Sequence, residues 1–198
     1  MAARYVLASG NRGKLAEIAH MLEGTSIEVV PQSDFALEGV EETGLTFIEN
    51  AILKAREASR VAGLPAIADD SGLEVDALAG LPGVRSSRFA GDEANDGDNN
   101  RRLLELLDGV PPRKRTARFR CVMVCLRHPE DPAPRVCEGV WEGSIALQPS
   151  GSSGFGYDPL FLPAGSDRTA AELSGEDKNR SSHRGRALAK LVEQLRQG

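Results

Sequence analysis

Ala68-Asp69-Asp70-Ser71-Gly72 sets two adjacent carboxylates at the end of a short apolar run, Ala66-Ile67-Ala68. Inside a hydrophobic core an unpaired carboxylate is costly, or it neutralises itself through a raised pKa. The pair therefore requires water, a metal ion or a cation. If the run is extended, successive side chains leave by opposite faces, so Asp69 and Asp70 do not serve one cavity equally. One of them is expected to carry chemistry. Strand ends followed by glycine are where sites commonly sit, and a solvated Asp-Asp-Ser-Gly turn is the plain alternative.

The surrounding chain has 198 residues, 40% of them hydrophobic and 27% charged. That is enough for one large domain, residues 1–198, or two intimately packed lobes. No apolar run approaches the roughly 20 residues that span a bilayer. The opening Met1-Ala2-Ala3-Arg4-Tyr5-Val6-Leu7 passes into what reads as a strand without a targeting leader, so a cytoplasmic enzyme or binder is expected. A formal net charge of -5 opposes a general nucleic-acid coat, which needs a basic surface to displace counterions. A small polyanion is compatible with that charge if focused cations, backbone N–H groups and a divalent ion receive it. Cys121, Cys125 and Cys137 lack metal-ligand spacing and are expected to be reduced core thiols.

Upstream of the diaspartate, Tyr5-Val6-Leu7-Ala8 reads as a buried strand and Ser9-Gly10-Asn11-Arg12-Gly13-Lys14 as a loop. The helical pattern of Leu15, Ile18, Met21 and Leu22 follows. Such a junction offers free amide groups and the positive end of a helix dipole to an anion, and Lys14 adds a full charge. The Walker spacing is absent, and a plain helix start is the other reading. Thr46 and Glu49 have capping-box spacing. They predict a helix that buries Ile48, Ile52 and Ala55 on one stripe and sets Asn50 beside Lys54 on another. Glu41, in the loop before that helix, is free to point toward Asp70 and share a divalent ion. One or two carboxylates plus substrate phosphates is the usual Mg2+ arrangement.

Downstream, Leu73, Val75 and Ala77 alternate with Glu74 and Asp76 as in a half-buried strand. Residues 92–100 read as a solvated loop without chemistry. Arg113-Lys114-Arg115 with Arg118 and Arg120 form a basic segment, either a nucleic-acid strand or charges that discourage edge pairing. Gly151-Ser152-Ser153-Gly154-Phe155-Gly156-Tyr157-Asp158-Pro159 lets a backbone approach a flat ligand while a ring stacks on it; a loop with its aromatics tucked into the core is the alternative. Thr169 with Glu172 and Ser174 with Asp177 have helix-start spacing. Lys178, His183 and Arg184 then gather donors near the start of a helix whose stripe is Leu188, Leu191, Val192 and Leu195.

Together, residues 9–14, Phe47-Ile48-Glu49-Asn50-Ala51 with Lys54-Ala55, residues 68–73, residues 154–159 and Ser182-His183-Arg184-Gly185 closely resemble one family, the inosine/xanthosine triphosphate pyrophosphatases of bacterial type. The match runs in order from about residue 4 to the last helix. Departures such as Asp177 before Lys178 touch no expected contact. The resemblance implies an α/β fold: a long mixed β-sheet with flanking helices forming two lobes around a central substrate groove, in a homodimer. It implies Mg2+-dependent hydrolysis of ITP, dITP or XTP between the α and β phosphates, giving the monophosphate and pyrophosphate. Ser9, Gly10, Asn11, Arg12, Gly13 and Lys14 would cradle phosphates with help from Lys54. Glu41 and Asp70 would hold the metal, Asp70 also accepting a proton. Phe155 would stack on the base while Lys178, His183 and Arg184 surround it, with Ser71, Gly156, Tyr157 and Asp158 completing the substrate contacts.

Overall fold

The structure is a computed structural model that describes residues 3–37 and 39–197. Strands β1 (Ala3–Ala8), β2 (Ile27–Pro31), β3 (Ala66–Val75), β4 (Thr116–Leu126), β5 (Arg135–Ile145) and β6 (Phe161–Pro163) form a six-stranded sheet in the order β2-β1-β3-β4-β5-β6. β1 is parallel to both β2 and β3, with Ala8 opposite Ala68 in the second pair, whereas β5 and β6 are antiparallel. The sheet is therefore mixed, as expected. Parallel neighbours require crossover segments. Helix α1 (Arg12–Leu22) lies in the crossover from β1 to β2, and α2 (Phe47–Ala62) in that from β2 to β3. The remaining helices are α3 (Asp96–Leu106), α4 (Gly175–Ser181) and α5 (His183–Gln197).

Chain contacts divide the protein into two compact units. One comprises Met1–Asp70, Cys121–Gly139 and Arg184–Gly198. Its core joins Leu7, Ile67 and Met123 from strands to Ile18, Leu22, Leu188 and Leu191 from α1 and α5. Cys121, Cys125 and Cys137 are buried free thiols in the same core, and burial pushes the Cys125 thiol up to about 11. The other unit comprises Ser71–Arg120 and Val140–His183. Leu73, Leu103, Leu107, Leu160 and Phe161 fill its core, where Phe161 packs at 4.7 Å from Phe119 and 5.1 Å from Trp141 between ring centroids.

Several local expectations change. β3 does not end at the diaspartate. It runs on through Ser71 and Gly72 to Val75, buried or half-buried at every position, because both acids are ion-paired and nothing forces the strand to break. α1 begins at Arg12 rather than Leu15, since Asn11 caps it by accepting the Lys14 N–H at 3.0 Å. Residues 92–100 are not all loop: Asn95 and Asp98 form a capping box that starts α3 at Asp96. In α2 the buried stripe is Phe47, Asn50, Ala51, Ala55, Ala58 and Ser59, leaving Ile48 exposed. The stripe is rotated from the one expected, and it takes Asn50 to the inside. The basic strand is balanced by acids: Arg118 lies 2.9 Å from Asp76 and 3.1 Å from Glu142, and Arg120 lies 3.1 Å from Glu74.

The Thr46–Glu49 capping box is present as the spacing predicts. Glu49 accepts from the Thr46 N–H at 2.8 Å, and the Thr46 hydroxyl accepts from the Glu49 N–H at 3.3 Å. Thr46→Ala removes one half of it and is expected to cost about 1 kcal/mol. Urea denaturation checks this: the midpoint falls at an unchanged slope, whereas an unmoved midpoint shows the cap to be dispensable.

Candidate functional site

The end of β1 and the start of α1 build the first part of the site. Ser9 is buried, its hydroxyl accepts from the Asn11 N–H at 3.3 Å, and Asn11 in turn caps the helix. The positive end of the α1 dipole lies here, a place that favours an anion. Arg12 is exposed and Gly13 half-buried in that turn. Lys14 is already anchored, its Nζ 3.1 Å from Asp69 Oδ2.

The two aspartates of β3 part company, as the alternation of a strand requires. Asp69 is wholly buried, and Lys14 from α1 and Arg184 from α5 approach it, the latter with Nε at 3.6 Å. Burial alone would raise its pKa, but the Lys14 ammonium and the Arg184 guanidinium outweigh it and hold the carboxyl far below the usual range. Arg184 is itself buried and also pairs with Glu17 of α1. Asp70 instead turns to α2. Lys54 donates to its Oδ1 at 3.0 Å and Asn50 to its Oδ2 at 3.2 Å. Burial raises the Asp70 pKa, and Lys54 and Lys14 only partly offset it while Glu42 adds to it. Lys54 is held charged: burial opposes its charge, but Asp70, Asp69 and Glu42 together raise its pKa. One carboxylate is thus locked in its ionised form and its neighbour is made more basic than usual, a split that sorts acid–base roles.

Lys54 also donates to Glu42 at 2.7 Å. A cavity of about 130 Å³ lies here, lined by Ser9, Gly10, Gln32, Val40, Glu42 and Lys54. Sequence reasoning favoured Glu41 as the acid that turns inward. The structure brings Glu42 to Lys54 and leaves Glu41 exposed. Among the described residues no cluster of three or more His, Cys, Asp or Glu is set to hold a metal alone. Two carboxylates, Glu42 and Asp70, converge on the Lys54 ammonium, and hard oxygen donors of this kind are the ones Mg2+ takes.

The second unit holds the aromatic loop. Lys178 of α4, itself buried, lies 2.6 Å from Asp158 Oδ2 with its Nζ 4.9 Å from the centre of the Phe155 ring, a cation–π distance. The same Asp158 oxygen accepts from the Phe155 N–H at 2.9 Å. Gly154 has φ +81, and any side chain there would collide with the Asp158 carboxylate. The two aromatics divide. Phe155 is half-buried and keeps part of its ring accessible, whereas Tyr157 belongs to the core and donates its hydroxyl to the Ser86 carbonyl at 2.8 Å. The Tyr157 carbonyl is taken up too, accepting from the Leu160 and Phe161 N–H groups at 2.9 and 3.0 Å. His183 is buried and stacked on Phe119, 4.7 Å between centroids and 10° between planes. Ser71 is half-buried on β3.

Of the donors grouped in sequence, Lys178 and His183 lie in the second unit, while Arg184 joins Asp69 and Glu17 in the first. Sequence reasoning missed the groups that hold the aromatic loop from α3. Asp96 accepts from the Gly156 N–H at 2.6 Å, and Asn100 donates to the Gly156 carbonyl at 2.8 Å. It also missed Glu17, Glu42 and the contact of Asn50 with Asp70. The available signal was the four-residue spacing of Asp96 and Asn100, which places both on one helix face.

The profile of the Ham1 family matches residues 5–194. A dITP/XTP pyrophosphatase of Shigella flexneri is 55% identical over 195 residues, covering 98% of this chain and 99% of that one. The dITP/XTP pyrophosphatase of Escherichia coli K12 is 53% identical over 195 residues with the same coverage. Among solved structures, a HAM1 protein from Coxiella burnetii superposes with a TM-score of 0.91 at 48% identity, covering 99% of this chain and 100% of the other.

Asp69→Asn would leave Lys14 and Arg184 facing a neutral group in a buried place, and breaking such a buried pair costs about 3–5 kcal/mol. Asp70→Asn keeps the Lys54 contact available and is expected to cost far less. Thermal unfolding of the two variants side by side checks this. A melting temperature lowered more by Asp70→Asn than by Asp69→Asn contradicts the assignment.

Proposed function

Because the chain belongs to the Ham1 family, we propose that it hydrolyses deaminated purine nucleoside triphosphates, ITP, dITP and XTP, to the nucleoside monophosphate and pyrophosphate. The observation that supports this reading is the different surroundings of Asp69 and Asp70, the first paired with Lys14 and Arg184 and the second with Lys54 and Asn50.

The first-turn amides of α1, Ser9 and Lys54 receive the triphosphate. Lys14, held by Asp69, adds positive charge without needing to be ordered by substrate, so its placement costs little at the moment of reaction. Asp70 and the acids of the 41–42 segment, Glu41 and Glu42, would hold Mg2+. When bound, that ion neutralises phosphoryl charge and makes water a better nucleophile. Asp70 orients the attacking water and accepts its proton at a carboxylate oxygen. Its burial-raised basicity suits that role. Positioning and charge stabilisation supply most of the rate in phosphoryl transfer.

In the second unit the accessible face of Phe155 stacks on the base, and Lys178 and His183 present donors to it. A 6-keto purine satisfies a donor that adenine, with its 6-amino group, leaves facing N–H. A site built around a required hydrogen bond discriminates by roughly 10^4 or more. Guanine shares the 6-keto oxygen, so its rejection rests on the 2-amino group. The reading includes a homodimer in the cytoplasm. No helix among the described residues is long and apolar enough to cross a membrane.

Pyrophosphate release from ITP, dITP, XTP, GTP and ATP, with Mg2+ and with EDTA in its place, tests this function. Turnover of the deaminated nucleotides only, lost with EDTA and restored by Mg2+, is the expected result. Equal turnover of ATP and ITP overturns the base-reading role, and undiminished rates in EDTA overturn the metal. Asp70→Asn is expected to lower kcat by about 10^2–10^4, the range for a positioned base; an unchanged kcat removes Asp70 from the chemistry.

A further inference from the structure

Asn50 is a wholly buried amide on the inner face of α2. A buried amide is expensive unless both of its ends are bonded, and here each end has a distinct partner. Oδ1 accepts from the Gly44 N–H at 2.8 Å, and Nδ2 donates to Asp70 Oδ2 at 3.2 Å. The first bond fixes the second. With the Gly44 N–H facing it, the oxygen end is assigned, so the amino end must face Asp70. Lys54, one turn further along α2, takes the other oxygen, Asp70 Oδ1, at 3.0 Å. Two residues spaced for one helix face therefore clamp the two oxygens of one carboxylate and set its plane.

Gly44 is the other half of this device. A Cβ at Gly44 would stand 2.7 Å from Asn50 Oδ1 and 2.6 Å from Glu49 Cβ. No side chain enters there without displacing the amide or the first turn of α2. The glycine sits two residues beyond Glu42, which meets Asp70 through their shared partner Lys54. The bonded series Gly44, Asn50, Asp70 thus ties the acid-bearing segment to the carboxylate that does the chemistry.

We propose that Asn50, oriented by the Gly44 amide, is a positioning residue that holds the Asp70 carboxylate in its working orientation. This rests on the functional reading above, in which Asp70 directs the attacking water. A carboxylate free to rotate between productive and unproductive orientations loses rate without losing affinity for a nucleotide gripped by other groups. The contact Asn50 makes toward the chemistry is with Asp70 Oδ2, so its effect passes through Asp70.

The experiment measures kcat and KM for ITP with Mg2+ in Asn50→Ala, Gly44→Ala, the Gly44→Ala/Asn50→Ala pair, Asp70→Asn, and Asn50→Ala combined with Asp70→Asn, with melting temperatures recorded for each. Misplacement of a catalytic group by about 1 Å costs on the order of 10^2 in rate. Asn50→Ala is therefore expected to lower kcat by about 30-fold or more, with KM changed by less than about 3-fold. Gly44→Ala, which keeps the amide but displaces it or the first turn of α2, is expected to lower kcat in the same way, and the pair to be no worse than Asn50→Ala alone. In the Asp70→Asn background Asn50→Ala is expected to leave the residual rate unchanged, which a merely structural role would not do. A wild-type kcat in either single variant, or an equal fold-loss in both backgrounds, overturns the inference. Failure of the wild-type protein to release pyrophosphate from ITP overturns the functional reading instead.

Discussion

A carboxylate with no access to water, Asp69, must be answered by positive charge, and in this protein the answer comes from the first turns of two helices. Lys14 of α1 lies 3.1 Å away and Arg184 of α5 approaches at 3.6 Å. Arg184 needs a second acid in turn, which Glu17 of α1 supplies. Buried charges persist only as satisfied groups, so this set of residues fixes how α1 and α5 meet β3. It also fixes the helix start that presents its amides and its lysine to an anion. The next residue of the strand, Asp70, points the other way and meets Lys54 and Asn50 of α2. One strand step separates the residue that organises the fold from the residue to which the proposed function gives the reaction.

The proposed recognition of the base would rest on a different principle. Its loop has little regular structure, and its geometry is imposed by bonds from outside it: Asp96 and Asn100 grip both backbone groups of Gly156, and Asp158 joins the Phe155 amide to Lys178. Gly154 is obligatory where the loop closes on Asp158. An aromatic ring stacked on a base gives affinity to any purine; fixed donors around it give the choice among purines. In the proposed reading, holding the loop rigidly therefore bears more on selectivity than the stacking ring does.

Much of this was visible in the chain before any coordinates. Period-two and glycine-loop patterns located β1, the connection into α1 and the strand after the diaspartate, the Thr46, Thr169 and Ser174 caps lie at their spacing, and the cysteines are core thiols. The dispersed motifs carried the family. What stayed hidden shares one cause: it depends on which side of an element faces a partner distant in sequence. The stripe of α2 runs through Asn50 and Ala51 rather than Ile48 because a buried carboxylate on β3 competes for that face. Glu41 and Glu42 are equivalent in sequence, and only Lys54 distinguishes them. Arg184 follows His183 directly, yet it answers to Asp69 of β3, while His183 stacks on Phe119. The Asp-Asp-Ser-Gly segment looked like a turn because its charges looked solvated; once paired, they leave the strand intact.

The division between the two aspartates is tested most directly by following both side-chain carboxyl resonances by carbon-13 NMR in the metal-free protein as pH is lowered. Asp69 should remain ionised well below the range of an ordinary aspartate, and Asp70 should protonate above that range. Coincident titrations, or Asp69 protonating first, would contradict the account.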